Sequence, residues 1–292
     1  MKQLRIGNIV IDAVIEREGP WRKPADFFPA FGQAVFDEHL PSLEPEMFDV
    51  AAGLLMMTYQ TFVVRTPHHT ILVDTCTGEH KDHPPPFDFA GKERWRDEFF
   101  ALGIGFEDVD YVFCTHLHID HTGWNTTLRD GRWVPTFPNA KYVFHKAEYA
   151  AWEEQHKKGA NPPGTVFRDN CLPIVEAGQA LLVDDDFQLD DLVTLTPTPG
   201  HSPHHCCVNL TSQGQKCVVT GDLIHHAIQC REPTWAAAPD WDPETGVRSR
   251  RAFLETVADT PTLLLPIHFA TPTVGMVRSD GSDRFLYRYK RD

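Results

Sequence analysis

Apolar and polar positions along the chain change period from segment to segment, and that change marks out the elements. The opening MKQLRIGNIVIDAVIERE alternates apolar with polar residues and predicts a pair of strands. Residues 20–46 keep no period. Rich in Phe and Pro, with Trp21, Phe27, Phe28, Phe31 and Phe36 separated by turn residues, they read as an arm. Such an arm packs over an edge of the core, or serves as a substrate wall, a lid or a homodimer contact. Runs rich in β-branched and aromatic residues at 56–65 and 70–74 predict strands. A proline-broken loop at 80–89 leads into a helix over 92–102, where Trp95, Phe99, Phe100 and Leu102 recur near helical spacing, and then a strand over 110–115. Further on, strands are expected at 141–145, within 181–199, at 205–210 and 216–220 (joined by the turn Ser212-Gln213-Gly214), at 262–267 and at 284–289, with helices at 146–158 and 248–259. Strands and helices interleave without strict βαβ repetition, and no long linker divides them. The expected architecture is one α/β domain over residues 1–292, two sheets with helices outside and the aromatic arm at about 18–50.

Composition narrows the partners. Of 292 residues, 41% are hydrophobic and 23% charged, as in a globular protein. The balance of 27 Lys plus Arg against 41 Asp plus Glu, a formal −14, opposes binding to nucleic acid or an anionic membrane surface. An uncharged stretch at 51–64 is 14 residues long and falls short of the ~20 that a spanning helix needs. Asp12 interrupts any signal-peptide core, so the mature chain is expected to begin here and to reside in the cytoplasm. Seven cysteines without CxxC spacing are then expected as reduced, mostly buried thiols.

The 16 histidines are unevenly placed, and the chemistry follows from where they cluster. His116-Leu117-His118-Ile119-Asp120-His121 follows an apolar strand. Two histidines two residues apart put both imidazoles on one face of a strand end, where they can share an ion. Asp120 and His121 follow where the chain must turn, within reach of a second ion. Other candidate ligands stand in turns after apolar strands: His201 in Thr198-Pro199-Gly200-His201, Asp222 after Thr220-Gly221, and His268 after Pro266-Ile267.

The ordered set THLHIDH, TPGH, GD and a late strand-ending histidine resembles the metallo-β-lactamase superfamily of binuclear hydrolases, from roughly residue 54 to 289. The resemblance implies an αββα sandwich with a two-metal site. It gives His116, His118 and His201 to one metal, Asp120, His121 and His268 to the other, and Asp222 to both. Asp74, in Leu72-Val73-Asp74-Thr75, is implied to orient a ligand, although Cys76-Thr77 separates Thr75 from Gly78 where the family more commonly has Asp-Thr-Gly. Nitrogen and oxygen donors without thiolate suit zinc first, with manganese, iron or cobalt as metals the same set accepts. Two such cations share a water and bring its pKa toward neutrality, giving hydroxide for hydrolysis without an organic cofactor. Asp120 has a second role open to it, moving a proton to the leaving group.

Single residues weigh the branches. His118 stands where flavodiiron-type members carry Glu, and Asp222 argues against true β-lactamases. A closing strand replaces the helical C-terminus of glyoxalase II enzymes, which leaves thioester hydrolysis as a minority reading. What remains resembles the lactonase and methyl-parathion-hydrolase-like branch, with TPGHSPHH and GDLIHH. In quorum-quenching lactonases a tyrosine three residues after the bridging aspartate donates to the substrate carbonyl; here that position is His225, whose imidazole can donate the same bond. A lactone or carboxylic ester is therefore the expected small-molecule substrate and a phosphotriester the alternative. A mononuclear iron oxygenase and a non-catalytic binding module are the readings from other classes. His204 and His205 are expected to support the site or the strand, and Trp124 and Asn125 either to line the pocket or to pack.

Overall fold

The computed structural model of the protein describes residues 1, 3–159 and 166–291. By contacts the chain divides into two compact units, each assembled from separated stretches: Gln3–Arg17 with Tyr59–Phe187, and Met1–Lys2, Glu18–Thr58 and Gln188–Asp292. The boundaries fall inside the long strands Ile9–Arg22 and Leu54–Arg65.

The unit holding the HLHIDH motif is built on a mixed sheet. Its strands run in the order Leu4–Ile6, Ile9–Arg22, Leu54–Arg65, Thr70–Val73, Tyr111–Phe113, Lys141–His145, Ala180–Val183. The last four are parallel, with Leu72 against Val112 and Tyr142 against Ala180. Parallel strands are covered on both faces, which is why these segments read as near-continuous apolar runs. Glu93–Ala101 buries Trp95 and Phe99, and Lys146–Lys157 buries Tyr149 and Trp152. The hairpin Thr126–Arg129/Arg132–Pro135 is an element that the pattern did not predict, because Arg129, Asp130, Gly131 and Arg132 interrupt it with charge.

The other unit carries a six-stranded sheet: Val193–Pro197, Cys206–Ser212, Gln215–Gly221, Leu263–Pro266, Gly275–Ser279, Phe285–Tyr289. Only Gln215–Gly221 and Leu263–Pro266 run parallel, and their register slips between Val219 and Gly221. The Gln213-Gly214 turn, both residues at positive φ (51° and 77°), has the left-handed backbone that suits a two-residue hairpin loop. The helix expected from 248 begins earlier, at Pro243. Asp242 caps it by accepting from Thr245 N at 3.1 Å, and proline at the first position costs no hydrogen bond. Gly246 looks like a breaker in sequence but lies within the helix; the close approach beside it constrains Gly200, whose Cβ would meet Gly246 N at 2.0 Å, whereas a Cβ on Gly246 would make only ordinary contacts at 3.5–3.6 Å.

The aromatic arm takes up short helices, Pro24–Phe27 and Gln33–His39. Its Phe27, Phe28 and Phe36 bury themselves with Leu55, Met57, Ile228, Trp235 and Ala237, which is the packing role. Half-buried Phe31 packs on the same cluster. All seven cysteines are buried as thiols.

Candidate metal centre

The predicted ligands fall into two donor sets, one in each unit. In the first, the strand Tyr111–Phe113 ends and the next residues turn, so successive side chains leave a fixed backbone in a few directions. His116 Nε2 and His118 Nδ1 stand 2.9 Å apart, and the His116 and His121 rings lie with centroids 4.1 Å apart. His116 and His121 are buried, while His118 and Asp120 are half-buried. Asp120 Oδ1 is 3.7 Å from His121 Nε2.

One buried carboxylate orients two of these four residues. Asp74 Oδ2 accepts from His121 Nδ1 at 2.8 Å and from the Thr115 hydroxyl at 2.8 Å, and Oδ1 accepts from Thr115 N at 2.8 Å. The Thr115 hydroxyl in turn lies 3.1 Å from His116 Nδ1. Fixing one ring nitrogen sets the tautomer and leaves the other for a metal. Asp74 and Cys76 sit at φ 57° and 49°, a left-handed backbone that costs of order 1–3 kcal/mol per residue unless its surroundings enforce it. Two contacts enforce it. Thr75 N, Gly123 N and Trp124 N bond across to His121 O, Cys76 O and Thr75 O, and Gly123 lies so close that a Cβ there would meet Thr77 C at 1.9 Å. Glu16, 3% exposed, then accepts from Thr77 N (3.0 Å), the Thr77 hydroxyl (2.6 Å), Gly78 N (3.0 Å) and Trp124 Nε1 (2.9 Å). Trp124 is thus a packing residue, stacked on Trp95 at 4.6 Å, and Asn125 ties Thr75 to Cys114.

The second set gathers on Asp222, just past the register slip; such irregularities re-aim side chains. Asp222 Oδ2 is 3.1 Å from His201 Nε2 and 3.2 Å from His225 Nε2, and Oδ1 is 2.9 Å from His268 Nε2. The far nitrogens are held: His201 Nδ1 by Asp240 at 2.7 Å and His268 Nδ1 by the Thr58 carbonyl at 2.9 Å. His205 supports the set, with Nδ1 on the Thr198 hydroxyl (2.8 Å) and Nε2 accepting from Asp222 N (3.0 Å).

His225 differs from these. Its ring is 1% exposed, stacks on His268 at 5.7 Å and meets the edge of Phe27 at 5.2 Å; Nε2 faces Asp222 Oδ2 at 3.2 Å, and Nδ1 has no hydrogen-bond partner among the described residues. A buried imidazole with one ring nitrogen left unsatisfied is what a group reserved for a ligand looks like. The donor atoms of His201, His225 and Asp240 lie within 4.8 Å of one another.

Electrostatics agree with cation binding. Burial pushes His201 down, but the Asp222 charge and the bonds to Asp222 and Asp240 outweigh it and lift the imidazole to about 9. A divalent ion at Nε2 therefore competes with a proton. Burial likewise raises Asp240, and His201 beside it overrides this to hold the carboxyl below its ordinary value. His225 is lowered, chiefly by burial, and stays neutral. The donors are nitrogen and carboxylate oxygen, with orienting partners already in place, so the residues fit divalent ions. Sequence reading missed Asp240, Glu16 and Glu148, the last accepting from Leu117 N and Trp152 Nε1 beside His118. A supporting carboxylate for a metal-binding imidazole is a general expectation, but nothing in the order of residues says which of 41 acids supplies it.

The model of the Metallo-beta-lactamase superfamily matches residues 57–251, and the chain belongs to that superfamily. Its fold is that of solved members. It resembles the hydrolase AbOPH of the beta lactamase superfamily (TM-score 0.78, 21% identity, 99% of this chain and 97% of that one). It is equally similar to AidC, a dizinc quorum-quenching lactonase solved with N-hexnoyl-L-homoserine as product (TM-score 0.78, 20% identity, 100% and 97%). Among curated relatives, the N-acyl homoserine lactonase of Bacillus cereus is 29% identical over 168 residues, 52% of this chain and 58% of that protein. AttM of Agrobacterium fabrum, also an N-acyl homoserine lactonase, is 32% identical over 113 residues, 37% and 38%. The matches thus span less than two thirds of those relatives.

Proposed function

We propose that the protein is a metal-dependent hydrolase that opens lactones or cleaves carboxylic esters, its 292 residues acting as one catalytic domain. In this reading His116, His118, Asp120, His121, His201, Asp222 and His268 hold two divalent ions, zinc first. The observation that carries it is the convergence of His201, His225 and His268 on Asp222, with Asp240 and Thr58 O fixing the outer nitrogens, in a chain of this superfamily. Lactone specificity is supported by the named substrates of AidC and of the two curated relatives; the phosphotriester, thioester, oxygenase and binding-module readings have no observation in their favour.

The ions, when bound, supply Lewis acidity and acidify a water toward neutral pH. The chain's residues do the rest. Asp74, Asp240 and the Thr58 carbonyl hold the Nδ1 proton of His121, His201 and His268 and so turn each Nε2 toward the ion it would bind. His225, neutral and buried, donates from a ring nitrogen to the substrate carbonyl oxygen as charge develops there. Asp120, 11% exposed at its side chain, carries a proton to the leaving alkoxide. The substrate is a small molecule and the setting cytoplasmic. Among the described residues no helix is long and apolar enough to cross a membrane.

The test is metal analysis joined to a panel of lactones, aryl esters, phosphotriesters, a thioester and a β-lactam. Two bound divalent ions and selective lactone turnover support the proposal. One iron per chain, or preferred turnover of another class, overturns it.

A further inference from the structure

The unit that contains Asp222 also has a groove of about 1070 Å³ that none of the predicted metal ligands lines. One wall is a single face of the helix Pro243–Val257: Ser249, Ala252, Phe253, Thr256 and Val257 follow the spacing of one helical stripe. The sheet contributes Val218, Leu263 and Met276. Ala252 and Thr256 are exposed along it, Phe253 is half-buried and Val257 is buried in the core, so the stripe forms one side of a channel of the size that small-molecule sites have.

The charge of the lining is unlike that of the molecule. Acidic residues outnumber basic ones 41 to 27 overall, yet the lining has no carboxylate and two ammonium groups, Lys216 and Lys290. Its remaining polar groups are mainly threonine hydroxyls and the amides of Asn209 and Gln215. A purely polar anion would waste the helix stripe, and a neutral hydrocarbon would make no use of the lysines.

We propose that this groove is a second, non-catalytic binding site for a small amphiphilic anion: an unbranched alkyl carboxylate, its chain along the 249–257 stripe and its head group held by Lys216 or Lys290. The site stands independently of the metal reading, since none of the predicted metal ligands lines it and only Thr198, whose hydroxyl holds His205, is common to the two.

Calorimetric titration of the full chain with octanoate, decanoate and dodecanoate, each as monomer, tests it. Affinity should rise two- to fourfold per added methylene, the partial-to-full burial of each CH₂. Ala252→Trp, at an exposed helix position, fills the channel and should weaken dodecanoate at least tenfold with an unchanged circular dichroism spectrum. The Lys216→Glu/Lys290→Glu double variant should weaken dodecanoate at least fivefold while leaving dodecanol unaffected. Stripping divalent ions with a chelator should change none of these values. Four results overturn the proposal: no saturable dodecanoate binding, wild-type affinity in Ala252→Trp, binding that disappears with the chelator and so belongs to the metals, or sedimentation showing a dimer that Ala252→Trp dissociates, which gives the groove to a second copy.

Discussion

Asp74 accepts from Nδ1 of His121 at 2.8 Å while both side chains are fully buried, and the same carboxylate holds Thr115 by its amide and its hydroxyl. One aspartate therefore turns His121 directly and His116 through Thr115. Asp74→Asn keeps the volume but offers an amide NH₂ where an acceptor is needed. Divalent-ion affinity, measured by chelator competition, should fall about 10- to 100-fold. Affinity within twofold of wild type would mean that His121 needs no such partner.

Glu16 acts on that same turn from further away. Glu16→Gln removes the charge that accepts four bonds and sets a donor against two of them, so unfolding stability should drop by about 2 kcal/mol. Amide hydrogen exchange should accelerate at Thr77 and Gly78 before it does in the strand Tyr111–Phe113. Uniform acceleration would show a global effect and not a local one.

Asp222 and Asp240 are predicted to differ in kind. Asp222→Ala removes the residue on which three imidazoles converge, and both turnover and the bound-metal count should collapse. Asp240→Ala leaves that carboxylate and frees only the outer nitrogen of His201, so turnover should fall about 10- to 100-fold with one metal site retained. Equal loss in the two variants would contradict the division.

Gly200, at φ 127°, has no room for a side chain, because its Cβ would stand 2.0 Å from Gly246 N and 2.6 Å from Thr245 C. Gly200→Ala must push the His201 turn off the helix Pro243–Val257 and should cost about 3 kcal/mol or more, read by urea unfolding. A loss below about 1 kcal/mol would show that the turn relaxes freely.

Burial lowers His226 to about 4 from the ordinary 6.5, against the bond to the Met47 carbonyl that raises it. Because the folded value is the depressed one, the contribution is fully present above pH 6.5 and is lost as pH falls toward 4, by at most about 1.4 kcal/mol per pH unit. His226→Asn should flatten the pH dependence of urea unfolding between 6.5 and 4 relative to wild type. Parallel curves for the two proteins would show that His226 does not titrate in that window.

Local order in the chain already contained the strands, because a buried strand must be apolar, and it placed several of them closely: residues 141–145 form a strand as expected, and the opening alternation is the pair Leu4–Ile6 and Ile9–Arg22. It also singled out candidate donors, since ligand chemistry needs His and Asp at strand ends and those residue types are visible one by one. What tertiary structure decided are the relations that have no sequence interval. His201 finds Asp240 across 39 residues, His268 finds the Thr58 carbonyl across 210, and Glu16 finds Trp124 across 108. Gly200 must be glycine because the helix Pro243–Val257 passes beside it, 46 residues further along the chain at Gly246. Periodicity reports which way a side chain faces, and residue type reports what it can bind. Which partner fixes its second nitrogen, or which glycine makes room for it, is set only when distant segments pack, because a buried imidazole or carboxylate must be satisfied by whatever the fold brings within 3 Å.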